Sequence, residues 1–395
     1  MRDDLPRGFR VGTAGAGFKK PDRDDLGLIL SDRSAALAAM FTQNAFCAAP
    51  VLICREILHR HGTARAVLAN SGQANACTGT EGLDNCRRTQ RMVADGTGIS
   101  PDEVLPISTG VIGAQLKMDL WTRAMPTLLD SLGSRDAEGF TRAFMTTDAF
   151  PKFAMRDVPL LQGSVRLTVM AKGAGMICPN MATMLCVVLT DALVARQAWQ
   201  DMFGRAVEKT FNRVSVDGDT STNDTILGLA NGASGVTVSQ DADLAALESV
   251  LTEILGAVAH MLVMDGEGAG KVLHIHVRGA LSTADARLAA RSVGHSQLVK
   301  TAMYGGDANW GRIVTAVGYS GATFDPNDVC LSLCGIERFH NGRPVNDDKE
   351  EELAALLKAK DVDIDIVLGP GSGSYDLQAS DLGHEYVSLN ADYRS

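Results

Sequence analysis

The chain has 395 residues, 45% of them hydrophobic, with 40 glycines and 12 prolines, enough apolar material for a large core and two or three lobes. Its formal net charge is −10 and its pI about 5.3, with no Lys/Arg-rich block, which argues against nucleic acid or an anionic membrane as a partner. In chain order, the polar start Met1–Arg7 lacks the apolar core of a secretory signal. Ala66-Val-Leu-Ala69 reads as a short strand that runs into a small-residue loop, Asn70-Ser-Gly-Gln-Ala-Asn-Ala-Cys-Thr-Gly79. Thr78 and Glu81 form a capping-box pattern that opens a helix ending near Asp95-Gly96. Ser100-Pro101-Asp102-Glu103 starts another, with proline at its first position. Val104–Ile107 leads into Ser108-Thr109-Gly110-Val-Ile-Gly113, read as a glycine-flanked turn. Helices are expected over roughly 118–132, with Pro126 breaking or restarting it, and 136–145, followed by an alternating strand at Ser164–Met170.

Further along, helices are expected near 194–212 and 241–264, and strands at Val272–Val277, Ile313–Val317, Val329–Leu333 and Asp363–Val367. The apolar runs Met184–Leu189 and Ile254–Met264 read as too short or too interrupted to span a bilayer. The eight cysteines include no Cys-x-x-Cys and read as buried thiols of a cytosolic chain. Strands running into helices in both halves predict a mixed α/β layered sandwich, with no low-complexity tract between the halves. All of this fits a soluble cytoplasmic enzyme.

The most informative stretch is Lys172-Gly-Ala-Gly-Met-Ile-Cys-Pro-Asn-Met-Ala-Thr183, just before the apolar run from Met184. A threonine hydroxyl is a poor nucleophile unless a base sits beside it, and one solution is to make the threonine an N-terminus, so that its own α-amine is the base. A free α-amine has a pKa of about 7.7–8.0 and accepts a proton near neutrality. An internal threonine reaches that state only if the chain cuts itself at the preceding bond, here Ala182–Thr183. Taken alone, such a segment is more often simply a threonine opening a strand after a Pro-Asn turn, and the other blocks of the chain are what favour cleavage. Thr109-Gly110 can supply a hydroxyl and a backbone N–H to one oxygen, as an oxyanion hole requires, or simply form a turn.

Asp265-Gly-Glu267-Gly-Ala-Gly270-Lys271 fails as a phosphate loop, because its glycine spacing is short and Val272 stands where Ser/Thr is required. It reads as a glycine turn after a helix that presents Glu267, either to a substrate ammonium or to solvent. Asp217-Gly-Asp219-Thr-Ser-Thr-Asn-Asp224 lacks the glycine and glutamate of a calcium loop and reads as a hydrogen-bonded turn near the site. His274 and His276 share a strand face, but the sequence shows no third ligand beside them, so no metal is expected. The absence of Gly-x-Ser-x-Gly argues against an α/β-hydrolase.

Taken together these blocks resemble the ornithine acetyltransferase (ArgJ, glutamate N-acetyltransferase) family, nearly end to end. The resemblance is carried by Asn70–Gly79, Ser108–Gly113, Met145-Thr-Thr-Asp148, Ala171–Met176 and Pro179–Leu185. It continues through Asp217–Asp224, Asp265–Ala269, Lys300-Thr-Ala-Met-Tyr-Gly-Gly-Asp-Ala-Asn-Trp-Gly-Arg312 and Asn390-Ala-Asp-Tyr393. It implies an αββα sandwich that is similar to N-terminal-nucleophile hydrolases but differs in topology. It also implies self-cleavage into 1–182 and 183–395, with both pieces in one folded unit assembling as an α2β2 heterotetramer. Thr183 would be the nucleophile, Thr109 and Gly110 the oxyanion hole, and Lys172, Thr183, Glu267, Asn390 and Ser395 substrate contacts. Ala149 stands where the family usually has a substrate-touching threonine; Thr147 is the nearest replacement. The end of the family's chain is often Thr, and Ser395 keeps the hydroxyl.

The implied activity moves the acetyl group of N2-acetylornithine to glutamate in arginine biosynthesis, without a cofactor. Acetyl-CoA is a further candidate donor. The alternatives are an aminopeptidase or amidase built on the same self-cleaved nucleophile, and a binding module that never cleaves.

Overall fold

The computed structural model describes residues 3–19, 23–178 and 184–392. Ala182, Thr183 and Ser395, singled out above, lie outside the described residues. The first part of the chain forms β1 (Phe9–Ala14), β2 (Leu26–Phe41), α1 (Ala49–Arg60), β3 (Thr63–Gln73), α2 (Gly79–Thr97) and β4 (Val104–Val111). α3 (Met118–Asp130), α4 (Ala137–Phe144), β5 (Lys152–Leu160) and β6 (Gly163–Lys172) complete it. Beyond residue 183 come β7 (Leu185–Thr190), β8 (Leu193–Val194), α5 (Arg196–Lys209), β9 (Val214–Ser215), β10 (Thr225–Ala230), β11 (Thr237–Val238) and α6 (Asp241–Met264). The last third contributes β12 (Val272–Ala280), α7 (Thr283–His295), α8 (Gln297–Gly305), α9 (Trp310–Gly318), β13 (Cys330–Leu333) and β14 (Ile336–His340). It ends with β15 (Arg343–Pro344), α10 (Glu350–Leu356), β16 (Asp361–Val367), β17 (Gly373–Ser380) and α11 (His384–Asp392).

One sheet runs β4-β3-β2-β10-β7-β6-β5, with β1 also paired to β2. The long β2 makes two layers out of it. Residues 26–31 pair with β1 and 36–41 with β10, and the register against β3 shifts between Leu30 and Ala35. Alternation along the strands then sorts side chains into three apolar layers. Leu26, Leu28, Leu30 and Leu68 pack under Val93 of α2 and Trp121 of α3. Ile29, Val67, Leu105 and Ile107 share a layer with Val187, Leu189, Leu227 and Leu229. Val165, Leu167, Cys186, Val188 and Ile226 pack against α5 and α6. The order is helix, strand, strand, helix: the αββα sandwich.

Strands from either side of residue 183 alternate within this sheet. β7 lies antiparallel to β6 and parallel to β10, which in turn pairs with β2. A second sheet, β15-β14-β13-β16-β12-β17-β9, is covered by α7, α8 and α9. It joins the sandwich through α6, whose core also takes in Val214 and Val272.

Several expectations are corrected. Ile313–Val317 is not a strand but part of α9, where Ile313, Ala316 and Val317 are buried at helical spacing and the Asn309 side chain caps the Arg312 N–H. Asn70–Gln73 continues β3 instead of starting a loop, and Ser108–Gly110 lies inside β4 instead of a turn, because the two segments are hydrogen-bonded register partners. The capping box at Ser100 forms, but only a three-residue 3-10 turn follows before β4 begins. Thr78 precedes α2 without capping it; its hydroxyl donates to Asn75 Oδ1. Of the cysteines, Cys54, Cys86, Cys178 and Cys186 are buried, whereas Cys77 is exposed and Cys47, Cys330 and Cys334 are half-buried. By length and composition α6 could cross a bilayer, yet Leu247, Leu251, Ile254, Leu255, Val258 and Leu262 are buried in the core.

Candidate active site

The cleft forms where the C-terminal end of β4, the end of β6 and the turn after α6 meet. β3 and β4 run parallel with Gly72 opposite Gly110. Gly110 has φ +131°, and a Cβ there would sit 2.3 Å from the Gly72 carbonyl carbon, so only glycine lets the strands approach this closely. That approach brings Thr109 and Gly110 to the cleft wall. Lys172 arrives as the last residue of β6, and Glu267 from the turn closing α6. Asn390 comes from α11. All five line one open cleft.

The loop after β6 is held in place from both sides. Asp217 accepts hydrogen bonds from the N–H groups of Met176 and Ile177 at 2.5 and 2.9 Å, and the Glu267 N–H donates to the Ala174 carbonyl at 2.7 Å. The expected hydrogen-bonded turn at Asp217 is therefore the clamp on this loop. A Cβ on Gly175 would meet the Glu267 carboxyl carbon at 2.5 Å, so glycine is what admits that carboxylate. Its Oε2 accepts from Asn390 Nδ2 at 2.9 Å. The residues flanking the undescribed 179–183 segment border the same space. Met176 lines the cleft, and Met184 lines a small adjoining cavity with Thr109, Lys172 and Asp224.

Lys172 is buried, and its ammonium donates to Thr109 Oγ1 at 3.2 Å. With its oxygen accepting, the Thr109 O–H is free to donate into the cleft. Burial holds Lys172 below the ordinary lysine range; Asp148 opposes that shift and Lys152 adds to it. Behind the cleft, Lys152 is fully buried between Asp148 Oδ1 at 2.7 Å and Asp265 Oδ2 at 2.5 Å. Asp148 also accepts from the Gly173 N–H at 2.6 Å and the Thr146 N–H at 2.8 Å. Burial pushes the Asp148 carboxyl up, but Lys172, Lys152 and these donors outweigh it and hold it well below the usual carboxylate range. Asp265, with one lysine and Asp148 as a like-charged neighbour, is shifted up by burial instead. Asp224 is also buried and pushed well up by burial, against the opposing pull of Lys172 and of hydrogen bonds from Met184 and Ser221.

Ala149 does not line the cleft. It is exposed, and its N–H donates to the Asp265 carboxylate at 3.0 Å. The wall is made by its neighbours Thr146 and Thr147. Sequence reading missed Asn223, which lines the cleft and donates from Nδ2 to the carbonyls of Ala74 and Ser108, tying the ends of β3 and β4 together. Its signal was present in the Asp217–Asp224 block. Lys152 gave no signal, because its partners are 4 and 113 positions away.

The ArgJ family profile matches residues 10–395. The chain is 60% identical to the arginine biosynthesis bifunctional protein ArgJ of Nitratidesulfovibrio vulgaris, over 99% of both chains. It is 46% identical to that of Geobacter sulfurreducens, over 98% of this chain and 99% of that one. Among solved structures, ArgJ from Bacillus halodurans is 36% identical, over 51% of this chain and 96% of that chain, with a TM-score of 0.49. With profile and relatives spanning nearly its whole length, the chain belongs to the ArgJ family.

Proposed function

We propose that this chain is an acetyltransferase of arginine biosynthesis that moves the acetyl group of N2-acetylornithine to glutamate through an ester on Thr183. The observation that carries this reading is the cleft itself. It combines an oxyanion-type pair, Thr109 and Gly110, with one cation, Lys172, and one carboxylate, Glu267. The relatives' role in arginine biosynthesis supports it. In this mechanism the chain cuts itself at Ala182–Thr183. The Thr183 Oγ attacks the acetyl carbonyl while its α-amine takes the hydroxyl proton. The C–N bond to ornithine breaks, the proton passes to the leaving amine, and an acetyl-threonine ester remains. The glutamate α-amine attacks that ester, N-acetylglutamate leaves, and Thr183 is regenerated. Asn390, which lines the cleft, would contact the substrate, as the family resemblance also implies for Ser395.

The test is to incubate purified protein with N2-acetylornithine and glutamate and follow ornithine and N-acetylglutamate, beside a panel of peptide amides. Stoichiometric appearance of the two products is expected; hydrolysis of the amides without acetylglutamate would overturn the reading. The relatives' designation as bifunctional supports acetyl-CoA as a second donor, tested by acetylglutamate formation from glutamate and acetyl-CoA alone. The cut pieces should co-elute in native gel filtration as an α2β2 assembly, since β6 and β7 lie on opposite sides of the cut yet share one ladder. Fragments that part under native conditions would count against it.

Thr109→Ala should lower kcat by about 10²–10³, the usual loss for one oxyanion donor, with a smaller change in KM. Lys172→Met should follow it in kcat, because the ammonium is what frees the Thr109 hydroxyl to donate. An unchanged kcat with a raised KM in both variants would move the pair to ground-state binding. Glu267→Gln should weaken use of N2-acetylornithine more than of glutamate, since the donor's δ-ammonium is the group a carboxylate recognises. Equal losses with both substrates, in steady-state kinetics with each varied, would remove that role.

A further inference from the structure

On the far side of α6 from the sandwich core, three side chains converge that the cleft does not use. His260 stands one turn before the end of α6, His274 is the third residue of β12, and Asp361 opens β16. β12 and β16 are parallel, with Val272 opposite Asp361 and His274 opposite Asp363, so His274 lies diagonally beside Asp361 on the face that α6 covers. The nitrogen and oxygen atoms they offer all lie within 4.8 Å of one another. His274 Nε2 is 2.8 Å from Asp361 Oδ1 and His260 Nε2 is 4.0 Å from the same oxygen. The two rings stack at 5.8 Å with 20° between their planes. Ligands about 2.0–2.1 Å from a tetrahedral zinc ion stand roughly 3.4 Å apart, so a small closure on one side and a small opening on the other would seat an ion.

An outer partner is already in place. His260 Nδ1 lies 3.2 Å from Gln378 Oε1 on β17. An amide oxygen only accepts, so Nδ1 carries the hydrogen and Nε2 presents its lone pair toward Asp361. The sequence suggested His274 with His276. The structure separates them: His276 turns to Asp376 at 2.7 Å, and the other two ligands of His274's group come from a helix, His260, and another strand, Asp361. Further acids, Asp363 and Asp365, follow Asp361 on the same strand face and favour a cation there.

We infer that His260, His274 and Asp361 form a site for a borderline divalent transition metal of the zinc class, which pins α6 to the second sheet. Two imidazoles and one carboxylate suit zinc, cobalt or nickel and not magnesium or calcium, which take oxygen ligands. Two partly buried imidazoles and an exposed carboxylate leave one position open to water. An ion that binds only the folded chain raises its melting temperature by mass action.

Chelator-treated full-length protein titrated with zinc in a calorimeter, and with cobalt by visible absorption, tests this. One ion per chain is expected, with a rise in Tm. His274→Gln should weaken binding at least tenfold, and Gln378→Ala, which keeps all three ligands, by about tenfold to a hundredfold. His340→Gln, in the other candidate group formed by Cys330, Glu337 and His340, should change nothing. Wild-type protein that shows no saturable binding up to about 1 mM zinc would overturn the inference. So would binding that survives both His274→Gln and Gln378→Ala, or that His340→Gln abolishes. Metal-free melting curves of each variant, matched to wild type, keep a ligand loss distinct from a folding defect.

Discussion

Thr183→Ala is expected to remain a single uncut chain of 395 residues and to transfer no acetyl group from either donor. Both losses follow from one missing atom. In the proposed mechanism the hydroxyl attacks the Ala182 carbonyl in self-cleavage, and after cleavage it attacks the acetyl carbonyl. Without the cut there is also no α-amine at position 183, so the base is lost with the nucleophile. Thr183→Ser supplies the same two groups and should keep part of both activities. Denaturing mass spectrometry read beside the transfer assay decides the matter. An alanine variant that is cut, or one that is uncut and still turns over N2-acetylornithine, removes Thr183 from the mechanism. Removing a triad nucleophile from a hydrolase costs about 2 × 10⁶ in kcat, which sets the scale expected here.

The residues of the cleft were legible in the sequence to very different degrees. Thr109, Gly110, Lys172, Glu267 and Asn390 stand in blocks whose order identified the family, and all five line one cleft. Their local structure was read less well. Ser108-Thr-Gly looks like a turn because small residues usually mark one, but here they let β4 pack against Gly72 of β3, a close approach between strands that no local pattern reveals. Ile313-Val-Thr-Ala-Val317 carries the branched residues of a strand, and only the Asn309 cap and the spacing of Ile313, Ala316 and Val317 betray the helix. The two-layered sheet depends on a register shift in β2 against β3, and register is set by tertiary packing. The histidine cluster was half visible: His274 could be seen on its strand, while Asp361 reaches it through the pairing of β16 with β12 and His260 through the packing of α6 on the second sheet.

Lys152→Met is expected to cost more stability than any other single change at the cleft, by about 3–5 kcal/mol, the usual loss when one partner of a buried ion pair is removed. Lys152 is fully buried and bridges Asp148 and Asp265. Methionine fills much of the volume but leaves two buried carboxylates facing each other without a cation between them. The loss should reach function as well, because Asp148 holds the Thr146 and Gly173 N–H groups and Asp265 holds the Ala149 N–H and begins the turn to Glu267. The pH dependence separates this from a simple packing defect. In the wild type the Asp148 carboxyl is depressed below its unfolded value, so its contribution is present above about pH 4 and is lost as pH falls through the folded pKa. Asp265 is already raised by burial with Lys152 beside it, and losing the ammonium pushes it higher. A group raised in the fold favours folding when protonated, and Asp265 is raised further in the variant, so the variant should regain more stability than the wild type as pH is lowered from about 8 to about 5. Denaturant unfolding of both proteins across that range is the measurement. A variant whose deficit stays constant with pH has lost packing, and the buried charge bridge would then not be what holds the cleft in shape.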